Sequence, residues 1–302
     1  MFEQKQNLYK QPGVFRCMHD VHRHFKSELS PFYILTEKNC FPHGCVYFNW
    51  KCRQLAKQKI CFRGFSYVGR KCFNCRYFYE EKQHHFPEFV NTSNDFPSFQ
   101  ERFEEFETWV NQLKSKRVAV EGNISKVIPY LSMKQIGSDC ILGTNGFLIR
   151  FEEGYLDNTS FADTFYLSIS ALTQNKMLFR SGDSLEFEAS LFIDRGRFKF
   201  KKSGRFNFFE RGNGKPMKKS DVLVSLKTST VQENQPEKCL RCENGILVDM
   251  INPGRGPSRS IICLKGVQDS NLCTLNMDTT DPNINDTCIN IEWRGKNCHH
   301  VL

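Results

Sequence analysis

No stretch of this chain is apolar for long enough to cross a bilayer as a helix, which takes about 20 such residues. The opening MFEQKQNLYKQPG lacks the basic, apolar and small-residue order of a secretory signal. An intracellular protein with no membrane partner is therefore expected. Also missing are a glycine-rich phosphate loop, an H-E-x-x-H and a G-x-S-x-G. The run HDVHRH, His19 to His24 with Asp20, has no second carboxylate motif to complete a metal-hydrolase site. No catalytic residue is assigned, and a binding protein is expected over an enzyme. Acidic residues are scarce in two places. Lys51 to Arg76 holds eight Lys or Arg and no acid, and Arg195 to Lys219 holds ten against Glu210 alone.

What is present points to a folded, basic protein. The chain has 302 residues, 39% hydrophobic and 25% charged, which fits one to three domains with sizeable cores. Phenylalanine accounts for 28 of the aromatics, so the cores should be Phe-rich. A formal charge of +9 favours polyanionic partners such as nucleic acid.

Fourteen cysteines gather toward the two ends. They divide the sequence into a basic Cys-rich module (1–95), a connecting helix (96–115), a strand-rich middle (116–229) and a C-terminal module (230–302). In a reducing compartment clustered cysteines favour metal sites. Cys72 and Cys75 form a C-x-x-C pair. Cys40 and Cys45, four residues apart, could complete a zinc site with them, or Cys52 and Cys61 could displace that first pair. An iron–sulfur cluster tolerates such irregular spacing too, and would make the protein a cluster enzyme or electron carrier. The adjacent His84 and His85 read as surface residues. At the other end Cys239 and Cys242 open a unit resembling a zinc ribbon, with Cys263 and Cys273 as its second pair. That pair has C-x9-C rather than the family's C-x-x-C spacing, so Cys288, Cys298, His299 or His300 could serve as the fourth ligand instead. Zn2+ is the expected cofactor of both modules. A secreted, disulfide-rich binding protein is the remaining alternative, and four N-x-[ST] sequons, at Asn91, Asn123, Asn158 and Asn285, fit it.

The connector DFPSFQERFEEFETWVNQLKSK has Phe99, Phe103, Phe106, Val110 and Leu113 at helical spacing. Ser98 and Glu101 are placed to form a capping box at its start. The middle then alternates like β-strands: Phe165, Leu167 and Ile169 against Tyr166, Ser168 and Ser170, and Leu185, Phe187, Ala189 and Leu191 against Glu186, Glu188 and Ser190. The overall class is mainly β, α+β over the whole chain. VEGNISKVIPYL, DTFYLSIS and FRSGDSLEFEASLF, in that order, resemble an OB-fold across Lys116 to Arg211. They match its glycine-kinked first strand and the Gly-Asp turn that opens its fourth. The resemblance implies a small barrel that binds oligonucleotides. Between the third and fourth strands only ALTQNKMLFR is available, which predicts a short turn where the family has a helix.

The segment DRGRFKFKKSGRFNFFERGNGKPMKK carries the functional expectation. Strand alternation sets Arg195, Arg197, Lys199 and Lys201 on one face and Phe198 and Phe200 on the other. A turn at Lys202–Ser203–Gly204 would then let Arg205, Phe209 and Arg211 continue the outer face. Phosphates require such cations, and Phe209 offers a ring for a base to stack on. The expected function is binding of single-stranded DNA or RNA, alone or inside a larger protein complex. All three cations at 197, 199 and 201 are expected to be solvent-exposed and of little consequence for stability.

Overall fold

A computed structural model describes residues 4–19, 22, 28–91, 95–136, 139–232, 239, 242, 244–251, 258–269 and 273. The architecture is mainly β. In chain order β1 (Gln4–Lys5), β2 (Phe15–Arg16) and β3 (Glu28–Leu29) are short. The strands β4 (Cys45–Cys52) and β5 (Phe78–His85) form a long hairpin, and β6 (Glu88–Phe89) returns to β2. The helix α1 (Phe96–Lys114) follows. Its buried residues are Phe99, Phe103, Phe106, Val110 and Leu113, the stripe that the spacing predicts. Its start differs from the expected capping box. Asp95 is the N-cap, its carboxylate accepting from the Ser98 amide at 3.1 Å, and Ser98 already lies inside the helix.

The middle of the chain supplies β7 (Arg117–Ile136), β8 (Asp139–Leu156), β9 (Thr159–Phe161), β10 (Phe165–Ile169), α2 (Ala171–Met177), β11 (Ser184–Asp194) and β12 (Arg197–Glu210). After α3 (Lys219–Thr228) come β13 (Thr230–Gln232), β14 (Gly245–Ile251) and β15 (Ser258–Cys263). Five strands pair in a circuit. β7 pairs with β8, β8 with β10 and β12 with β11, all antiparallel; β10 pairs with β12 in parallel, and β11 returns antiparallel to β7. Beyond the circuit, β14 pairs in parallel with β7 at residues 131–134 and carries β15 and β13 with it. At the other margin β1 pairs with β9.

The inner face of the circuit is apolar: Phe147, Ile149 and Phe151 from β8, Phe165 and Leu167 from β10, Phe187 from β11, and Phe198 and Phe200 from β12 are all buried. Trp109 of α1 stacks on both Phe161 and Phe198, and so seats the helix on this core. Two glycines let the strands approach. A Cβ on Gly154 would lie 2.2 Å from the Glu121 carbonyl oxygen, and one on Gly122 would meet the Phe151 ring at 3.0 Å. The register between β7 and β8 shifts beside Gly122, where the long strand bends.

Three local expectations change. The segment 171–177 is a helix capped by the Ser170 hydroxyl rather than a bare turn. Arg195 does not lie in the strand: with Gly196 it forms the two-residue hairpin turn between β11 and β12, both at positive φ, as a type I′ turn requires. The Lys202–Gly204 turn is absent as well. β12 runs on to Glu210, and the irregularity is absorbed by register shifts against β11 around Glu188 and by positive φ at Lys202 and Arg205.

Candidate functional site

Strand alternation gives the circuit a polar outer face opposite its Phe core. Register aligns one row of side chains across four strands: Lys126 of β7 opposite Arg150 of β8, Arg150 opposite Tyr166 of β10, and Tyr166 opposite Lys199 of β12. Flanking this row on the same face are Ile128, Tyr130, Leu148 and Arg197. Gly245, Leu247, Asp249 and Arg259 of β14 and β15 form the other wall, so the surface is a groove.

The charges in the groove are organised. Arg259, nearly buried, donates from Nε to Asp249 Oδ1 and from Nη2 to Asp194 Oδ2, each at 2.5 Å. Tyr130 donates its hydroxyl to Asp249 Oδ2 at 3.3 Å. Lys199 Nζ lies 3.8 Å from Asp194 and 4.0 Å from the centre of the Tyr130 ring. Burial pulls the Lys199 ammonium below its usual pKa, against the opposing pull of Asp194 and Asp249. Burial pushes Asp194 up, yet Arg259, Lys199 and Arg197 together hold its carboxyl below the usual value. The Tyr130 phenol is pushed up to about 12 by burial and then by Asp249 and Asp194. Five cations (Lys126, Arg150, Arg197, Lys199 and Arg259) thus face two carboxylates, and the lining stays cationic with two tyrosine rings in it.

Of the seven residues expected on a basic face, the groove unites Arg197 and Lys199. Lys199 is not the exposed cation that alternation alone implies: its side chain retains 12% exposure. Lys201 is exposed and lies over the Phe192 ring. Arg195 is in the hairpin turn. Arg205 pairs with Glu188 at 2.6 Å, next to Arg117, on the β11 side of β12. Phe209 is exposed near the end of β12. Arg211 is a structural tie: it pairs with Asp183, donates to the Met177 and Leu178 carbonyls, and covers the Phe208 ring. Sequence reasoning missed Lys126, Tyr130, Arg150 and Arg259. The even-numbered positions of SKVIPYL hold Lys126, Ile128 and Tyr130 on one face, a signal that could have found two of them.

The cysteines separate by burial. Cys40 and Cys45 are buried beside the hydrophobic core. Cys52, Cys61, Cys72 and Cys75 are half-buried free thiols in the β4–β5 hairpin and its tip. The Cys61 thiol is held below its usual pKa by backbone amides of the residues just after it, Phe65 first and then Arg63. The Arg63 amide donates to its sulfur at 3.4 Å. His84 and His85 lie in β5, opposite Val46 and Cys45.

At the C-terminal end Cys239 packs its backbone against Gly245, where a Cβ would lie 1.7 Å from the Cys239 oxygen. Gly245 is itself the strand partner of Cys263. Cys242 Sγ accepts from the Asn244 amide, and the Cys242 carbonyl accepts from Lys126 of the groove. Cys273 is half-buried. Among the described residues no three His, Cys, Asp or Glu side chains stand together as a formed ligand set. No disulfide joins the cysteines whose side chains are described. No helix among the described residues is long and apolar enough to cross a membrane. Compared with known protein families, curated proteins and solved structures, the chain gives no match.

Proposed function

We propose that this chain binds single-stranded nucleic acid through the groove on the outer face of the circuit, and that the circuit is an OB-type barrel. The row Lys126, Arg150, Tyr166 and Lys199 carries the reading, because it interleaves phosphate-pairing cations with a ring on which a base can stack. The order of pairings supports the barrel. The family is a five-stranded barrel whose second and third strands carry the ligand face. Here the corresponding strands, β8 and β10, supply Leu148, Arg150 and Tyr166. A groove between β12 and β14 admits a flexible single strand more readily than a stiff duplex.

The test is titration of a labelled oligonucleotide at several salt concentrations. Changing Lys126 and Arg197 to Gln should weaken binding and flatten the slope of log K against log salt by about 1.4, from two lost phosphate contacts at about 0.7 each. Tyr166→Ala should cost about 1–3 kcal/mol of binding with the slope unchanged. Wild-type affinity in the double variant at every salt would rule the groove out.

Zinc is the cofactor proposed for the two Cys-rich parts, with Cys52, Cys61, Cys72 and Cys75 as one candidate ligand set and Cys239, Cys242, Cys263 and Cys273 as the other. Two features support it: the amide donors directed at the Cys61 and Cys242 sulfurs, and the approach of Cys239 to the strand partner of Cys263. Metal binding would have to draw the thiols of each set together. Metal analysis of the purified protein, with its visible spectrum, separates zinc from an iron–sulfur cluster and from no metal.

A further inference from the structure

The β4–β5 hairpin is anchored at its base, where Cys45 joins the core and Tyr47 and His85 meet the His19 ring, and beyond that base it projects from the fold. Among the described residues its two strands pair only with each other, and none of residues 47–86 is buried. Eight paired residues at about 3.4 Å each make an arm of roughly 25 Å, and its tip, residues 53–77, extends it. All of this tip but Tyr77 lies in the span from Lys51 to Arg76 that carries eight cations and no acid. Lys57, Lys59, Arg70 and Lys71 are exposed there. So are large apolar side chains that a solvated tip would not be expected to display: Phe62 at 70%, Tyr67 at 77% and Phe73 at 47% exposure, with Ile60 almost fully in solvent.

We infer that this arm is a second contact surface for single-stranded nucleic acid, separate from the groove, with Phe62 and Tyr67 stacking on bases and the tip lysines pairing with phosphates. The inference rests on the nucleic-acid reading proposed above. Charge complementarity selects the partner: the tip, residues 53–77, carries seven cations and no acid, which suits a polyanion. The carboxylates Glu80 and Glu81 lie back in β5, where Glu81 pairs with Lys51. Cations and exposed apolar groups also suit an anionic lipid surface. The rings decide between the two, since apart from Ile60 the most exposed large side chains of the tip are flat and interleaved with the cations rather than aliphatic and set on one face. Because no side chain of residues 47–86 is buried, substitutions at the tip cannot open a cavity in the core.

The experiment uses the full chain, labelled single-stranded oligonucleotides at several salt concentrations, and phosphatidylserine vesicles, with thermal melts to confirm folding. The triple change Lys57→Gln, Lys59→Gln and Lys71→Gln should flatten the salt slope by about 2. Phe62→Ala with Tyr67→Ala should lower affinity about fivefold or more per ring and leave the slope unchanged. If these variants bind oligonucleotides like the wild type while the groove variants lose affinity, the arm is overturned and the groove stands. If the arm variants lose affinity and the groove variants do not, the groove reading fails and the arm stands. Loss of vesicle binding by the arm variants with oligonucleotide binding intact overturns the proposal in favour of a lipid partner. A wild type that binds no oligonucleotide at low salt overturns both.

Discussion

Lys199 and Lys201 are two residues apart on the same face of β12, yet their surroundings differ. Lys201 is exposed, and its replacement by Ala should change stability by no more than about 0.5 kcal/mol. Lys199 is enclosed between Asp194 and the Tyr130 ring, so Lys199→Ala should cost about 1–3 kcal/mol. Phe198→Ala, on the inner face, should cost about 3–5 kcal/mol. Thermal melts of the three variants check that order. The alternation of cation and Phe was legible in the sequence because side chains alternate in any strand. The depth of Lys199 was not, since it comes from Tyr130 on β7 and from β14 and β15, elements distant in sequence. Asp194 adds a pH dependence. Its folded pKa lies below the ordinary 3.8, so its contribution to stability is present above that value and is lost as pH falls through the folded one. Asp194→Asn should therefore lower the melting temperature at pH 6, and the difference from wild type should shrink below pH 3.8. A constant difference down to pH 2 would mean that the carboxylate's charge is not what stabilises the fold.

Among the elements, α1 was the most legible. Five apolar positions at helical spacing define its buried stripe, whatever residue caps it. The cap itself was misplaced because Asp95 and Ser98 are both good capping residues, and the backbone after Asp95 decides between them. β12 was the least legible. Ser203–Gly204 is a turn signal in isolation, but pairing with β11 keeps the strand going and turns the irregularity into a bulge. The β4–β5 arm raises a different question, since it is folded without a core of its own. Small units of this kind usually depend on a metal or a disulfide. If zinc is that staple, Cys61→Ser with Cys72→Ser should remove about one metal equivalent and make residues 53–77 protease-sensitive, because structural metal affinity is folding energy. A wild-type arm that resists protease after full metal removal would contradict it.

In the whole molecule, β14 and β15 are an addition to the five-strand circuit that also completes the groove. None of the circuit's own pairings involves a residue beyond 210, yet β14 covers the far half of β7, and Asp249 and Arg259 reach back to Tyr130 and Asp194. Ending the chain at Ser229 separates the two roles. The pairing of β7 residues 117–123 with β11 should survive, since none of its described strand partners lies in the removed part. Residues 131–134 lose the β14 strand, and the buried Leu131 and Met133 lose Ile246 and Val248 from the same core. Amide exchange should accordingly rise at 131–134 and hold near wild type at 117–123. Oligonucleotide affinity should fall, because Arg259 leaves the groove and Asp194 is left with Lys199 and Arg197 as its remaining cationic neighbours, which draws them from phosphate. Uniform loss of protection across β7 would show instead that the C-terminal strands are part of one cooperative core with the circuit. Unchanged affinity in a folded truncation would take β14 and β15 out of the binding surface.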